Sequence, residues 1–314
     1  MKISNKNIVC FGGGTGMPAL LSGLKHNPWL NISAIVSMFD NGGSSGELRD
    51  QFGILPPGDV LKCLLALSQD EPAARKLLQQ RIDDPTLPKH SGGNIMLFGL
   101  EKTTGDYLKA IQTFGKILDI RGQVIPVTTE HSTLNAIYTD GQIAHGEVNV
   151  DQGLIDGKQI LRLLLDPPTQ ASEAAVSAIM SADAIVIGPG SFYTSVLPNF
   201  LPIGIKQALQ NSRAQIIFVC NLLTEGLGMQ NTTVEQLISE VELYTGKTIN
   251  QAIINNYVPD SHNLSAYEVE QKRPLLYNGP DENKFIQAPL WQPGAIARHH
   301  SSSLAYLIYK LLDR

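Results

Sequence analysis

Three stretches of the chain place glycines beside small hydroxyl or amide residues where an apolar run ends: Gly12-Gly13-Gly14-Thr15-Gly16, Asn41-Gly42-Gly43-Ser44-Ser45-Gly46, and Gly188-Pro189-Gly190-Ser191 continuing to Thr194. Backbone without side chains lets N–H groups approach an oxyanion, and a helix starting behind it adds partial positive charge. The chemistry this suits is a phosphate cradle, to which Thr15 would add a hydroxyl. The first loop fits neither common fingerprint. A dinucleotide motif starting at Gly12 would need its third glycine at Met17, and no Gly-Lys-Ser/Thr follows for a P-loop. Taken alone it reads equally well as a tight strand-to-helix turn.

Other residues gather around these loops. Asp40 closes an apolar run where doubly wound sheets place a ribose or metal contact. Arg49 is suited either to a phosphate or to a surface pair. Asp59 follows two prolines and is expected to cap a helix; the same carboxylate is a candidate metal ligand or general base. His90-Ser91-Gly92-Gly93-Asn94 puts hydrogen-bonding groups at another helix start, and Asn221 ends a further apolar run. Tyr267 offers a ring for stacking, and Arg298, in Arg298-His299-His300, a planar cation for a diphosphate. Gly-x-Ser-x-Gly and HExxH are both absent, so neither nucleophile-elbow hydrolysis nor zinc proteolysis is supported.

The elements that must hold these residues follow from periodicity. Short β-branched runs at Ile8–Phe11, Ile32–Phe39, Ala184–Ile187 and Ile216–Cys220 alternate with helical segments, the βαβ signature of a parallel sheet. Helices are expected at Pro18–His26, at Val60–Leu67 behind Asp59, and at Pro72–Ile82 behind Asp70. Further ones are expected at Asn94–Lys102, at Tyr107–Leu118 behind Asp106, at Glu173–Met180 behind Ser172, at Val234–Tyr244 and at Ser303–Leu312. Asn135–Thr139 and Gln142–Val150 around Asp140-Gly141 read as a hairpin, and Gln159–Leu165 after Asp156-Gly157 as another strand. One domain, 1–314, with a β-rich insertion over about 123–165 is therefore expected.

Composition narrows the partners. Of 314 residues 43% are apolar and 17% charged, which excludes a disordered chain, a collagen-like repeat and a membrane protein. Twenty-four Lys and Arg against 29 Asp and Glu give a net charge of -5, which argues against a general nucleic-acid binder. Any bound anion must be gripped locally. Cys10, Cys63 and Cys220 lack CxxC spacing and read as reduced buried thiols. Ile8–Phe11 is too short for a signal-peptide core, and no run reaches the ~18 apolar residues of a spanning helix. A cytoplasmic protein with no membrane partner is expected.

Taken in order, Gly12–Gly16, Asp40–Gly46, Leu48-Arg49, Gly53–Asp59, His90–Asn94 and Gly188–Thr194 resemble the gluconeogenesis factors. These are YvcK-like cytoplasmic nucleotide-sugar-binding proteins related to 2-phospho-L-lactate transferase (CofD-like). The resemblance covers nearly the whole chain. It implies an α/β, Rossmann-like three-layer fold with a mainly parallel sheet holding a nucleotide diphosphate against the glycine loops. It also implies a uridine diphosphate sugar or a dinucleotide as ligand, an influence on carbon metabolism and cell shape, and a homo-oligomer. Gly13, Gly14 and Thr15 match the family's phosphate loop, Asp40 and Asn94 its polar crevice, and Tyr267 and Arg298 its nucleotide-sugar contacts. The transferase branch uses Mg²⁺ to pass a phospholactyl group from a guanosine diphosphate derivative to a deazaflavin alcohol. Asp59 resembles the acid that addresses the acceptor there, and Asp40 with Asp59 would hold the ion alongside nucleotide. Two positions depart from the gluconeogenesis-factor pattern: Asn41 replaces a second acid after Asp40, and His300 stands where an acid usually follows Arg-His.

Overall fold

The computed structural model describes residues 5–81, 90–259, 261–280, 283–294 and 296–312. Seven strands run parallel in one sheet: β1 (Lys6–Gly12), β2 (Leu30–Val36), β3 (Gln123–Pro126), β7 (Ala184–Ile187), β8 (Gln215–Val219), β9 (Gln251–Asn255) and β10 (Phe285–Ala288). Three more, β4 (Thr133–Tyr138), β5 (Ile143–His145) and β6 (Ile160–Asp166), form a small antiparallel sheet in the order β5-β4-β6. Buried β-branched and aliphatic side chains such as Ile8, Val9, Ile35, Val36, Ile185 and Ile217 fill the central strands, as a sheet covered on both faces requires.

The parallel strands lie in the order β10-β9-β8-β7-β1-β2-β3. From β1 the chain steps one way to β2, and from β7 the other way to β8. Right-handed crossovers in opposite directions put their helices on opposite faces, giving the three layers. On one side α1 (Gly16–Leu24) packs with α3 (Gly58–Leu67) and α12 (Ser301–Leu312). On the other α8 (Glu173–Met180), α9 (Ile205–Asn211) and α10 (Val234–Thr245) pack in succession. The remaining helices are α2 (Gly43–Phe52), α4 (Glu71–Leu78), α5 (Gly92–Thr104), α6 (Tyr107–Ile117), α7 (Glu147–Ile155) and α11 (Ser261–Val269). Side-chain oxygens of Asp70, Asp106 and Ser172 cap α4, α6 and α8.

Several boundaries differ from the sequence expectation. The second strand stops at Val36 rather than Phe39, because its ladders to β1 and β3 end at Gly12 and Pro126, with Ser37 N donating to Gly12 O at 3.3 Å as the last bond on the β1 side. Asp59 is not the cap of α3: Pro57 occupies that place, and Asp59 sits inside the first turn with its carboxylate turned elsewhere. Gln123–Pro126, expected to open the β-rich insertion, is the edge strand of the main sheet. Gln142–Val150 is strand only over Ile143–His145. Gly146 breaks it with φ +86°, and Val150, Gly153 and Leu154 are then buried at helical spacing in α7. Ile82, the end of the helix expected at Pro72–Ile82, lies outside the described residues; α4 closes at Leu78.

A buried ion cluster joins α1 to α4. Lys25 Nζ, whose side chain is 6% exposed, donates to Glu71 Oε2 at 2.7 Å and to Ser68 O at 2.8 Å. Glu71 also accepts from Ser22 Oγ at 2.9 Å and from Arg75 Nε at 2.8 Å. Burial pushes the Glu71 carboxyl up, but the donors Lys25, Arg75 and Ser22 outweigh it and hold it below its ordinary range. Its contribution is therefore full at neutral pH and fades as acid protonates the folded carboxyl. Glu71→Ala strands the Lys25 ammonium and is expected to cost about 3 kcal/mol at neutral pH, read from urea unfolding midpoints. Little difference between the two proteins at pH 7 would refute this.

Candidate functional site

The order in which the chain adds strands reverses between β1 and β7, which are parallel hydrogen-bonded neighbours, so their carboxyl ends open a crevice of the kind where open α/β sheets take ligands. The first and third glycine loops leave the sheet at those ends and touch. A methyl group on Gly16 would sit 2.6 Å from Pro189 O, and one on Gly190 3.1 Å from Gly13 O. Gly14 adopts φ +62°, a conformation that favours glycine. Asn199 Nδ2 donates to Gly12 O at 3.2 Å, and Asn221 Nδ2, at the end of β8, donates to Gly190 O at 2.9 Å. Gly188 holds φ +79° at the end of β7, and Thr194 follows in a π-helical turn over Phe192–Val196.

Behind the first loop, Thr15 is the N-cap of α1, yet its exposed side chain makes no capping bond. The first-turn amides of α1 are orphaned by helix geometry and available to an anion. A cavity of about 320 Å³ opens here and brings together Thr15, Gly16, Gly190, Ser191, Asn221, Tyr267 and Arg298. Tyr267 is half-buried, packed edge-on against Trp291 with ring centroids 6.4 Å apart, and its hydroxyl accepts from Ala297 N at 2.5 Å. Arg298 is exposed, and its guanidinium has no hydrogen-bond partner among the described residues. Its neighbours serve the scaffold. His299 Nε2 meets Cys220 O at 3.1 Å, and burial holds this imidazole down at about 4 and therefore neutral at pH 7, while His300 Nδ1 accepts from Ser303 N at the start of α12.

The second glycine stretch is built differently from the other two. Asn41–Gly46 is not simply a loop, because α2 begins at Gly43, and Gly46 N donates to Gly42 O at 3.0 Å. A side chain on Gly46 would strike the Asn41 carbonyl, which is why the turn needs small residues. Asp40 Oδ1 accepts from Gly42 N at 2.8 Å, and Asn41 Oδ1 accepts from Val148 N at 3.1 Å, docking the first turn of α7. Ser45 Oγ accepts from Gly58 N at 3.1 Å. Asn94 Nδ2 donates to Ser44 Oγ at 3.0 Å, which also bonds His90 Nδ1 at 2.9 Å, while Asn94 Oδ1 is buried without a partner among the described residues. Arg49 donates to Thr133 Oγ1 at 3.1 Å and so ties α2 to the small sheet.

Asp59 joins the two regions. Its buried carboxylate accepts from Gly14 N through Oδ2 at 2.5 Å and from Lys62 Nζ through Oδ1 at 2.8 Å. Burial pulls the Lys62 ammonium down, but the charge and hydrogen bond of Asp59 win and raise it. Asp59 thus clamps the first glycine loop, with Lys62 neutralising its charge. Asp40 Oδ2 lies 3.6 Å from where a methyl group on Gly58 would sit. Among the described residues no three His, Cys, Asp or Glu side chains converge closely enough to cage a metal ion. Mg²⁺ is ordinarily held by one or two carboxylates, with waters and substrate phosphates completing six oxygen ligands.

Three acids that sequence reasoning passed over border the same ground. Glu147 at the start of α7 is pushed up to about 9, first by burial and then by the charge and hydrogen bond of Asp40. Asp151 is also raised by burial, though the nearby Thr194 hydroxyl offsets part of that shift. Glu225 lines the main cavity, accepts from Phe192 N at 2.9 Å and Asn221 Nδ2 at 3.0 Å, and is pushed by burial to about 8. Glu147 belongs to a segment that reads as strand and Asp151 directly follows it, so no local signal placed them here. For Glu225 the signal was its position four residues after Asn221.

The chain matches the family described as 2-phospho-L-lactate transferase CofD over residues 8–289. It is 39% identical over 285 residues to a gluconeogenesis factor of Halalkalibacterium halodurans, an alignment that covers 90% of this chain and 86% of that one. A gluconeogenesis factor of Bacillus subtilis is 36% identical over 275 residues, covering 86% and 85%. A crystal structure of a Bacillus halodurans protein of the UPF0052 family superposes with a TM-score of 0.90 at 35% identity, covering 98% of this chain and 99% of that one. Similarity of that extent, over the residues that build the crevice, makes the chain a member of the CofD family in its YvcK-like, gluconeogenesis-factor branch.

Proposed function

We propose that the protein binds a nucleotide diphosphate sugar, most naturally a uridine diphosphate sugar, in the crevice between β1 and β7, and that it acts in the cytoplasm as a ligand-dependent factor of carbon metabolism and cell shape. The observation that carries this reading is the cavity at the point where the strand order reverses. One wall consists of Thr15 and Gly16 at the start of α1 and of Pro189–Ser191, and the rim carries Arg298, unpartnered among the described residues, and the ring of Tyr267. The loops supply backbone donors for a diphosphate, Arg298 supplies charge in a planar fork, and Tyr267 supplies a flat apolar surface already ordered by Trp291. Thr15, whose hydroxyl is uncommitted, adds one hydrogen bond.

The test is a thermal-shift comparison of a uridine diphosphate sugar with free uridine. A ligand that binds the native state raises its melting temperature by mass action. The sugar nucleotide is expected to stabilise the protein and uridine far less; equal shifts would remove the phosphate-cradle argument. Arg298→Ala and Tyr267→Ala should each weaken the sugar nucleotide roughly tenfold, about 1.4 kcal/mol, with the unliganded melting temperature of Arg298→Ala unchanged. Wild-type affinity in both would confine the ligand to the amino-terminal loops.

The CofD match and the position of Asp59 beside Gly14 favour a second reading, Mg²⁺-dependent transfer of a phosphorus-containing group, with Asp40 and Asp59 addressing the ion and Asp59 the acceptor. Because Asp59 is already committed to Gly14 and Lys62, calorimetry should detect little Mg²⁺ binding to the free protein and more with nucleotide present. Tight binding to the free protein that is lost in Asp59→Asn would favour the transferase.

A further inference from the structure

A second cavity of about 360 Å³ lies on the other side of Thr15 and Arg298, bounded by α1, α3, α4 and the start of α12. Its charged lining is Lys62, Arg75 and Arg298 against the single acid Glu71, an excess of positive charge in a protein whose net charge is -5. The donors are not all spent. Arg75 gives Nε to Glu71 at 2.8 Å and Nη1 to Gln79 Oε1 at 3.2 Å, which leaves Nη2, and the Arg298 guanidinium is unpartnered among the described residues. Ser301, at the first turn of the twelve-residue α12, borders the cavity. His300 takes the amide of Ser303 through Nδ1 and that of Leu304 through its carbonyl, so the amides of Ser301 and Ser302 are the ones left without an intrahelical acceptor. Three cations and the first turn of α12 converge on one half-open volume from four separate elements.

We propose that this cavity is a second ligand site, for the dianionic head of a small phosphomonoester, and that its occupant antagonises the nucleotide sugar. A phosphate placed there has a guanidinium fork on each side and helix amides behind it. Antagonism follows from the shared wall. Arg298 faces both cavities and can direct its fork to one anion at a time, and two phosphate groups on either side of Thr15 repel. Lys62 extends the coupling inward, because it holds Asp59, and Asp59 holds Gly14 N in the phosphate loop. An anion that draws the ammonium outward leaves the Asp59 charge facing the diphosphate. By linkage, each ligand weakens the other by the same factor. The binding half of this proposal stands without the reading given under the proposed function; the antagonism rests on it.

The experiment is isothermal titration of the whole chain with glycerol 2-phosphate, first alone and then with a saturating uridine diphosphate sugar, with glycerol as the uncharged control. One saturable site per chain is expected for the phosphomonoester and none for glycerol. Gln79→Glu occupies Arg75 with an added carboxylate and repels an anion, and it should weaken glycerol 2-phosphate at least roughly tenfold while leaving the melting temperature and nucleotide-sugar affinity unchanged. Arg75→Gln should do the same to the phosphomonoester, and serves as the second variant. No saturable binding would overturn the proposal, as would binding untouched by both Arg75→Gln and Gln79→Glu. Unchanged glycerol 2-phosphate affinity in the presence of a sugar nucleotide that itself binds would overturn the antagonism alone. A sugar nucleotide that fails to bind while glycerol 2-phosphate titrates normally would instead count against the first cavity's reading.

Discussion

Gly14→Val should abolish nucleotide-sugar binding while leaving a folded protein. Gly14 has φ +62°, where a β-branched residue is strained by roughly 1–2 kcal/mol. A Cβ there would also press on Ser195 Oγ at 3.3 Å, a distance that forces the neighbour to yield. Relief of both displaces the peptide whose N–H is held by Asp59, and with it the approach to the first amides of α1. Those amides act on phosphate only through close backbone contact, so a shift of about an ångström should remove most of the interaction, roughly a hundredfold or more in affinity. Thr15→Ala is the milder comparison, since it removes one hydroxyl and leaves the backbone in place, a loss of about 1 kcal/mol. The measurement is titration of both variants with a uridine diphosphate sugar, after their melting temperatures without ligand. Undiminished affinity in a folded Gly14→Val protein would show the loop to be an ordinary turn.

That the loop could be singled out beforehand, and its surroundings could not, reflects how each is encoded. Strand, glycines and helix lie within twenty residues, and the same local pattern recurs at Gly188, so periodicity and turn chemistry suffice to place two loops at one sheet edge. Tyr267 and Arg298 stand out in the sequence only as a ring and a planar cation, and it is the resemblance that ties them to a nucleotide sugar. Asp59 shows the limit of a local rule. Its position after two prolines reads as a helix cap, yet Pro57 takes that role, and the carboxylate bonds a glycine forty-five residues away. Within the insertion, one segment departs from its expected form for a related reason. Alternating apolar residues in Gln142–Val150 suit a strand, but Val150 and Leu154 pack as one helix face against β4, a tertiary preference that propensity does not contain. Glu147 then becomes a neighbour of Asp40 across more than a hundred residues.

That neighbourhood gives the chain a pH dependence of defined sign. In the folded protein Glu147 holds its proton up to about 9, against an ordinary value of 4.5, because it is buried and faces Asp40, with Asp151 and Asp59 adding weaker repulsion. A folded value above the unfolded one means that the native state binds the extra proton. The stabilisation this represents is complete at low pH, and it is lost progressively as pH rises from about 4.5, where the unfolded chain ionises, to about 9, where the folded carboxyl finally does. Glutamine at this position stays neutral throughout and can still donate an amide hydrogen to Asp40. Glu147→Gln should therefore match the parent near pH 5 and melt a few degrees higher near pH 8.5, where each kcal/mol is worth about 2–4 °C in a chain of this size. Thermal unfolding of the two proteins at pH 5, 7 and 8.5 measures the difference directly. Parallel curves would mean that Glu147 ionises normally and does not share a proton with Asp40. Curves that diverge as described would show that Glu147 and Asp40 share a proton where α7 meets the segment after β2.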